Sequence, residues 1–207
     1  MGHLELEQLA YWYFRLNGCL TIPNFIVHPD RGRNQETDVD VIAIRFPFRS
    51  ENFVQPMKDD PLICADRHRI RIMLAEVKTG TCSLNGPWTN ESRRNMQRVL
   101  AAIGPFQRDI LDEVASSMYR TGCWRDTHYF ASLFCVGAER NPDIETRYPE
   151  VPQVIWDQVT QFIFDRFKHY KNQKVSHSQW DEMGKRLYDI AVRSHDSAEF
   201  KAKLFDR

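Results

Sequence analysis

The usual covalent and membrane anchors are missing from this sequence. Its five cysteines, Cys19, Cys64, Cys82, Cys123 and Cys135, are odd in number and widely scattered. No two stand in a CxxC spacing, which argues against a disulfide framework or a zinc ribbon and points to a reducing, cytoplasmic setting. A run of about 18 apolar residues, the minimum for a membrane span, is absent. The start MGHLELEQ also lacks the basic-then-apolar order of a signal peptide, so a soluble protein with no membrane partner is expected. Neither sign of charge dominates: 28 basic residues balance 28 acidic ones. With no overall field to draw in a polyanion, any nucleic-acid contact must be local. Arg67 to Arg71 (RHRIR), the Arg93, Arg94 and Arg98 group, and Arg166, Lys168, Lys171 and Lys174 are the patches to weigh against plain solvated faces. There is no GxxxxGK[ST] loop, no GxGxxG turn and no GxSxG elbow, and the seven histidines form neither HxH nor HExxH. Nucleotide hydrolysis, dinucleotide binding and a histidine-based zinc site therefore have no basis here.

What is present suffices for a sizeable core, since 42% of the 207 residues are hydrophobic. Residues 4 to 17 place Leu6, Leu9, Ala10, Tyr13 and Leu16 at helical spacing and stop at Asn17-Gly18. Residues 19 to 27 read as a strand bent at Pro23, followed by a polar, turn-rich stretch to 36. Strands are expected at 38 to 46 and 69 to 78, separated by a Pro-containing insertion near 47 to 66. A helix is predicted from about 91 to 117, interrupted at Gly104-Pro105. The apolar run at 128 to 137 reads as a central strand covered on both faces. Beyond Pro152 the pattern is helical to about Tyr170, resumes after a cap at Ser178, and closes with a short helix through AEFKAKLF. Trp156, Phe162, Phe164 and Phe167 fall at helical spacing and read as core. No internal repeat interrupts this order, which predicts an α/β fold with a core at 1–150 and a helical extension at 151–207 packed on it.

Two of the strands carry charge where burial is expected. In TDVDVIAI, alternation places Asp38, Asp40, Ile42 and Ile44 on one face and Val39, Val41 and Ala43 on the other. In IMLAEVKTG, Glu76 and Lys78 point together. If the strands are neighbours, Asp40, Glu76 and Lys78 converge, and a charge removed from water costs several kcal/mol unless a partner or a metal meets it. Two carboxylates beside an amine are the inventory for seating a hard divalent cation and activating a water.

The combination of a Glu-bearing helix, an Asp entering one apolar strand and an ExK leaving another resembles the PD-(D/E)xK nuclease superfamily, which includes restriction endonucleases and Holliday-junction resolvases. The resemblance covers roughly the first hundred residues. It implies a restriction-endonuclease-like central mixed sheet flanked by helices, and hydrolysis of phosphodiester bonds with Mg²⁺, for which Mn²⁺ can substitute. Asp40 in DVIAI and Glu76 in EVK look like the metal-binding carboxylates, with the Val77 carbonyl as a further oxygen. Lys78 looks like the residue that orients the attacking water or meets developing charge. Glu7 looks like the first-helix glutamate of the resolvase-like branch, against the plainer reading of an exposed glutamate in the first helical turn. Gln97 resembles a glutamine some branches place near the site, although solvent exposure is the default for it. Arg93, Arg94 and Thr79 are candidate phosphate contacts, and Asp38 and Glu36 are weaker alternatives, Asp38 reading best as a solvated strand end. The expected substrate is DNA, with RNA left open, and the expected setting is restriction or phage defence in a homodimer or a larger complex. Two other readings compete: a catalytically silent subunit that binds nucleic acid or proteins, and a structural α/β domain whose Asp40 and Glu76 pair with arginines.

Overall fold

The computed structural model describes residues 3–28, 37–175 and 180–205; Glu36 and the cap expected at Ser178 lie outside them. In chain order the elements are α1 (His3–Leu16), β1 (Leu20–Val27), β2 (Thr37–Arg45), α2 (Pro61–Cys64), β3 (Ile70–Val77) and α3 (Gly86–Thr89). A 3₁₀ turn at Glu91–Arg93 leads to α4 (Asn95–Ile103), α5 (Leu111–Thr121), β4 (Cys123–Arg125), β5 (Tyr129–Gly137), α6 (Pro142–Arg147) and β6 (Gln153–Ile155). The chain closes through α7 (Trp156–His169), α8 (Glu182–Arg193) and α9 (Ser197–Phe205). Among these helices none is long and apolar enough to cross a membrane.

The architecture is α/β, an open mixed sheet with helices on both faces. Strand order is β1-β2-β3-β5-β4, with β6 also pairing β5. β1, β2 and β3 run antiparallel in succession, whereas β3, β5 and β6 are mutually parallel. Their carboxyl ends therefore emerge together. β5 sits inside the sheet and is buried on both faces, as its unbroken apolar run predicts. On one face Val41, Ala43, Met73, Ala75 and Val136 pack against α1, α7 and α8. On the other, Ile42, Ile72, Leu74 and Leu133 pack against α4 and α5.

Several expectations need adjusting. The interruption expected at Gly104-Pro105 is there, with Gly104, at φ 74°, ending α4, but the gap is wider than a kink: α4 starts only at Asn95 and α5 only at Leu111. Residues 153–155 form a strand of the main sheet before the helical segment begins, and α7 and α8 share one core cluster with α1. The connection between β2 and β3, expected as an insertion, is tied down by ion pairs. Asp59 accepts from Arg45 at 2.7 Å, Arg49 at 2.6 Å and Arg166 at 2.7 Å, and Glu51 accepts from Arg166 at 2.7 Å and also pairs with Lys174. Arg166, expected in a basic surface patch, is fully buried and ties this connection to α7.

The contact between α8 and α1 depends on one glycine. Asp181 caps α8 through the Gly184 amide and accepts from the Trp12 indole at 3.0 Å, which lays the Trp12 ring against the first turn of the helix. A Cβ at Gly184 would fall inside the van der Waals surface of that ring. Gly184→Ala should therefore destabilise the protein by about 1–3 kcal/mol in urea unfolding, although alanine is the better helix former.

Candidate active site

At the carboxyl end of β3 the ladder to β2 stops. Val41↔Ala75 is its last pair, and two residues further along β3 the Val77 amide donates to the Asp40 carboxylate, Oδ2, at 2.6 Å. A side chain thus takes the position a backbone carbonyl would hold. β1 changes at the same level: Asn24, between the pairs Pro23↔Val41 and Phe25↔Val39, has φ 50°. The expected alternation fails here too, because Val39 packs with Ile42 rather than with Val41. Asp40 is buried at the point where β2 parts from β3, and Asp38 is exposed, as expected of a strand end.

Glu76 points to the opposite face from Val77 and is 4% exposed. Three donors hold it: Lys78 Nζ at 2.6 Å and Asn85 Nδ2 on Oε1, and the buried Trp88 indole N–H at 2.6 Å on Oε2. None is an arginine, so the structural pairing weighed for Glu76 is not what the fold provides. Burial, and then the negative charge of Asp40, raise the Glu76 carboxyl above the usual carboxylate range against the pull of Lys78 and Trp88. Asp40 and Glu76 are therefore close enough to oppose each other's ionisation.

Lys78 is fixed at both ends. Its amide donates to the Val136 carbonyl at 2.8 Å, its carbonyl accepts from the Trp156 indole at 3.2 Å, and its Nζ reaches both Glu76 and the Asn85 Oδ1, the latter at 2.9 Å. Asn85 thus contacts both members of the pair. Asn85 and Trp88 are the site residues that sequence reasoning missed. LNGPW is visible as a turn, but nothing in its spacing connects it with Glu76.

The remaining candidates are distributed around this centre. Glu7 is buried on α1, which overturns the exposed first-turn reading, and its helix covers the sheet face opposite Trp88. Gln97 is also buried, against the default of exposure, and its Oε1 has no hydrogen-bond partner among the described residues. Thr79, Arg93 and Arg94 are exposed, and Arg94 pairs with Asp112 at 2.9 Å. Among the described residues no three His, Cys, Asp or Glu side chains gather into one metal-ligating group. The structure thus brings together two carboxylates, one ammonium, one amide and one indole. Compared with family models, with curated proteins and with solved structures, the chain has no match.

Proposed function

We propose that this chain is a divalent-metal-dependent nuclease of the PD-(D/E)xK type, with a restriction-endonuclease-like fold, that hydrolyses phosphodiester bonds, most naturally in DNA. The supporting observation is the Asp40–Glu76 pair, buried where two strands separate, with Lys78 Nζ 2.6 Å from Glu76. Mutually repelling carboxylates invite a cation, and the donor set fits Mg²⁺ or Mn²⁺: Asp40, Glu76 and the Val77 carbonyl are all hard oxygens. A bound divalent ion would supply charge neutralisation at the phosphate and a more acidic water. The site also lies at the carboxyl ends of parallel strands, the usual position for ligands in open α/β sheets.

The chain's own groups have separable tasks. Asp40, holding the Val77 amide, fixes the gap between β2 and β3. Lys78, the more exposed member of its ion pair with Glu76, would orient the nucleophile and meet developing negative charge. Asn85 positions Lys78, and Trp88 keeps Glu76 from turning away. Restriction or phage defence, in a homodimer or a larger assembly, is the setting implied by the resemblance.

The test is incubation of supercoiled plasmid and of single-stranded DNA with Mg²⁺, Mn²⁺ or chelator. Wild type should cut only with metal, and Lys78→Ala, still folded, should cut about 10²–10³-fold more slowly. Equal cutting by wild type and variant would remove Lys78 from the chemistry. The second reading, a silent binding subunit, is favoured by the three donors that already occupy Glu76; it predicts no cleavage with any metal.

A further inference from the structure

A second charged cleft opens at the other end of the sheet, where β3 and β5 begin. It encloses about 570 Å³ and is lined by Arg67, Arg69, Arg71, Arg125 and Phe130, with Asp66 and Glu150 at its edge. Arg71 precedes Glu76 by five strand positions, or about 17 Å at 3.3 Å per residue. The two sites are therefore physically separate.

Arg71 is the unusual member. It is 3% exposed, and among the described residues no carboxylate pairs with it. Its Nη1 donates to the carbonyls of Leu62 at 2.9 Å and Ile63 at 3.1 Å, while its Nε has no partner among the described residues. Those carbonyls satisfy donors but carry no full negative charge, so the guanidinium has no direct counter-ion and is compensated only at a distance by Asp66. Like charges surround it. Arg125 and Arg71 both stack on the Phe130 ring, with guanidinium carbons 4.4 and 4.5 Å from its centroid. Burial pushes Arg71 below the usual arginine range; Asp66 opposes the shift, and the neighbouring Arg45 and Arg125 add to it.

The other basic groups are mostly matched: Arg45 with Asp59, Arg69 with Asp66 at 2.8 Å, and Arg125 with Glu150. Arg67 is exposed at the rim and, among the described residues, makes neither a hydrogen bond nor an ion pair. Four arginines against two carboxylates leave a surplus of two positive charges in the cleft.

We propose that this cleft is a binding site for a phosphate monoester. A dianion matches the surplus charge, and guanidinium forks match the geometry of its oxygens. Arg71, held by the two α2 carbonyls, provides fixed charge at the floor, and Arg67, Arg69 and Arg125 provide donors that a ligand can reach. The phosphate can come from a free nucleotide or from the 5′ end of a nucleic-acid strand.

Calorimetric titration of the full chain at constant ionic strength tests this, using inorganic phosphate, adenosine monophosphate, and one oligonucleotide with and without a 5′-phosphate. Wild type should bind phosphate saturably, and Arg67→Ala, an exposed change that leaves folding intact, should weaken binding about tenfold. Arg71→Lys, which keeps the charge and loses the fork, should weaken it as well. Competition by the mononucleotide identifies a small-molecule ligand; preference for the 5′-phosphorylated strand identifies a strand end. Glu76→Gln should bind phosphate like wild type, whether or not the protein proves to be a nuclease. Absence of saturable binding, or an Arg67→Ala variant that binds as tightly as wild type, would overturn the proposal.

Discussion

Glu76→Gln should abolish metal-dependent cleavage and, in the same protein, the stabilisation that a divalent ion confers. A ligand that binds only the native state stabilises it by RT ln(1 + [L]/Kd), about 2.7 kcal/mol at a hundredfold excess over Kd. Wild-type Tm should therefore rise with Mg²⁺ or Mn²⁺, whereas the glutamine variant, lacking the anionic oxygen, should not respond. Glutamine keeps the volume beside Trp88, so the missing response would report the charge rather than a collapsed pocket. Cleavage should fall by about 10²-fold or more, the scale for removing one group that stabilises developing charge. A wild-type Tm indifferent to both metals would favour the silent subunit.

Arg166→Ala should produce the largest loss of stability, about 3–5 kcal/mol in urea or thermal unfolding, because it removes the fully buried member of an ion network. The shortfall should depend on pH. Glu51 and Asp59 are held below the usual carboxylate range by their arginine and lysine partners, although burial opposes the shift. A depressed folded-state value contributes stability that is present above the unfolded pKa, about 4, and disappears as pH falls through the folded value. Wild type should therefore lose stability on acidification more steeply than Arg166→Ala, and the two unfolding curves should converge at low pH. Parallel loss across the whole range would mean that the network contributes packing rather than charge.

The elements visible in the sequence are those that carry periodic signals. α1 with its Asn17-Gly18 stop, the apolar β5 and the aromatic stripe of α7 follow from side-chain spacing alone. Asp40, Glu76 and Lys78 were legible as charges in otherwise apolar strands. What remained hidden depends on chain path. β4 and β6 have three residues each, too few to show a period. Asn85 and Trp88 reach Glu76 only because the turn after β3 folds back over the strand end. Arg166 and Asp59 are 107 residues apart, so a basic run that looked like surface proved to be the inside of a joint. Val39 broke the alternation at Asp40 because β2 leaves β3 there, a departure that no two-residue pattern encodes.

The position of α1 constrains how the molecule can be assembled on the ribosome. Its apolar side rests partly on α7 and α8, with Tyr13 edge-on to Phe162 and Trp12 bonded to Asp181. α1 therefore waits for residues made well after it, Asp181 being 169 positions beyond Trp12, before its greasy side is sealed. Until then, Trp12 and Tyr13 form a sticky patch on the nascent chain, the sort of surface that holding chaperones shield.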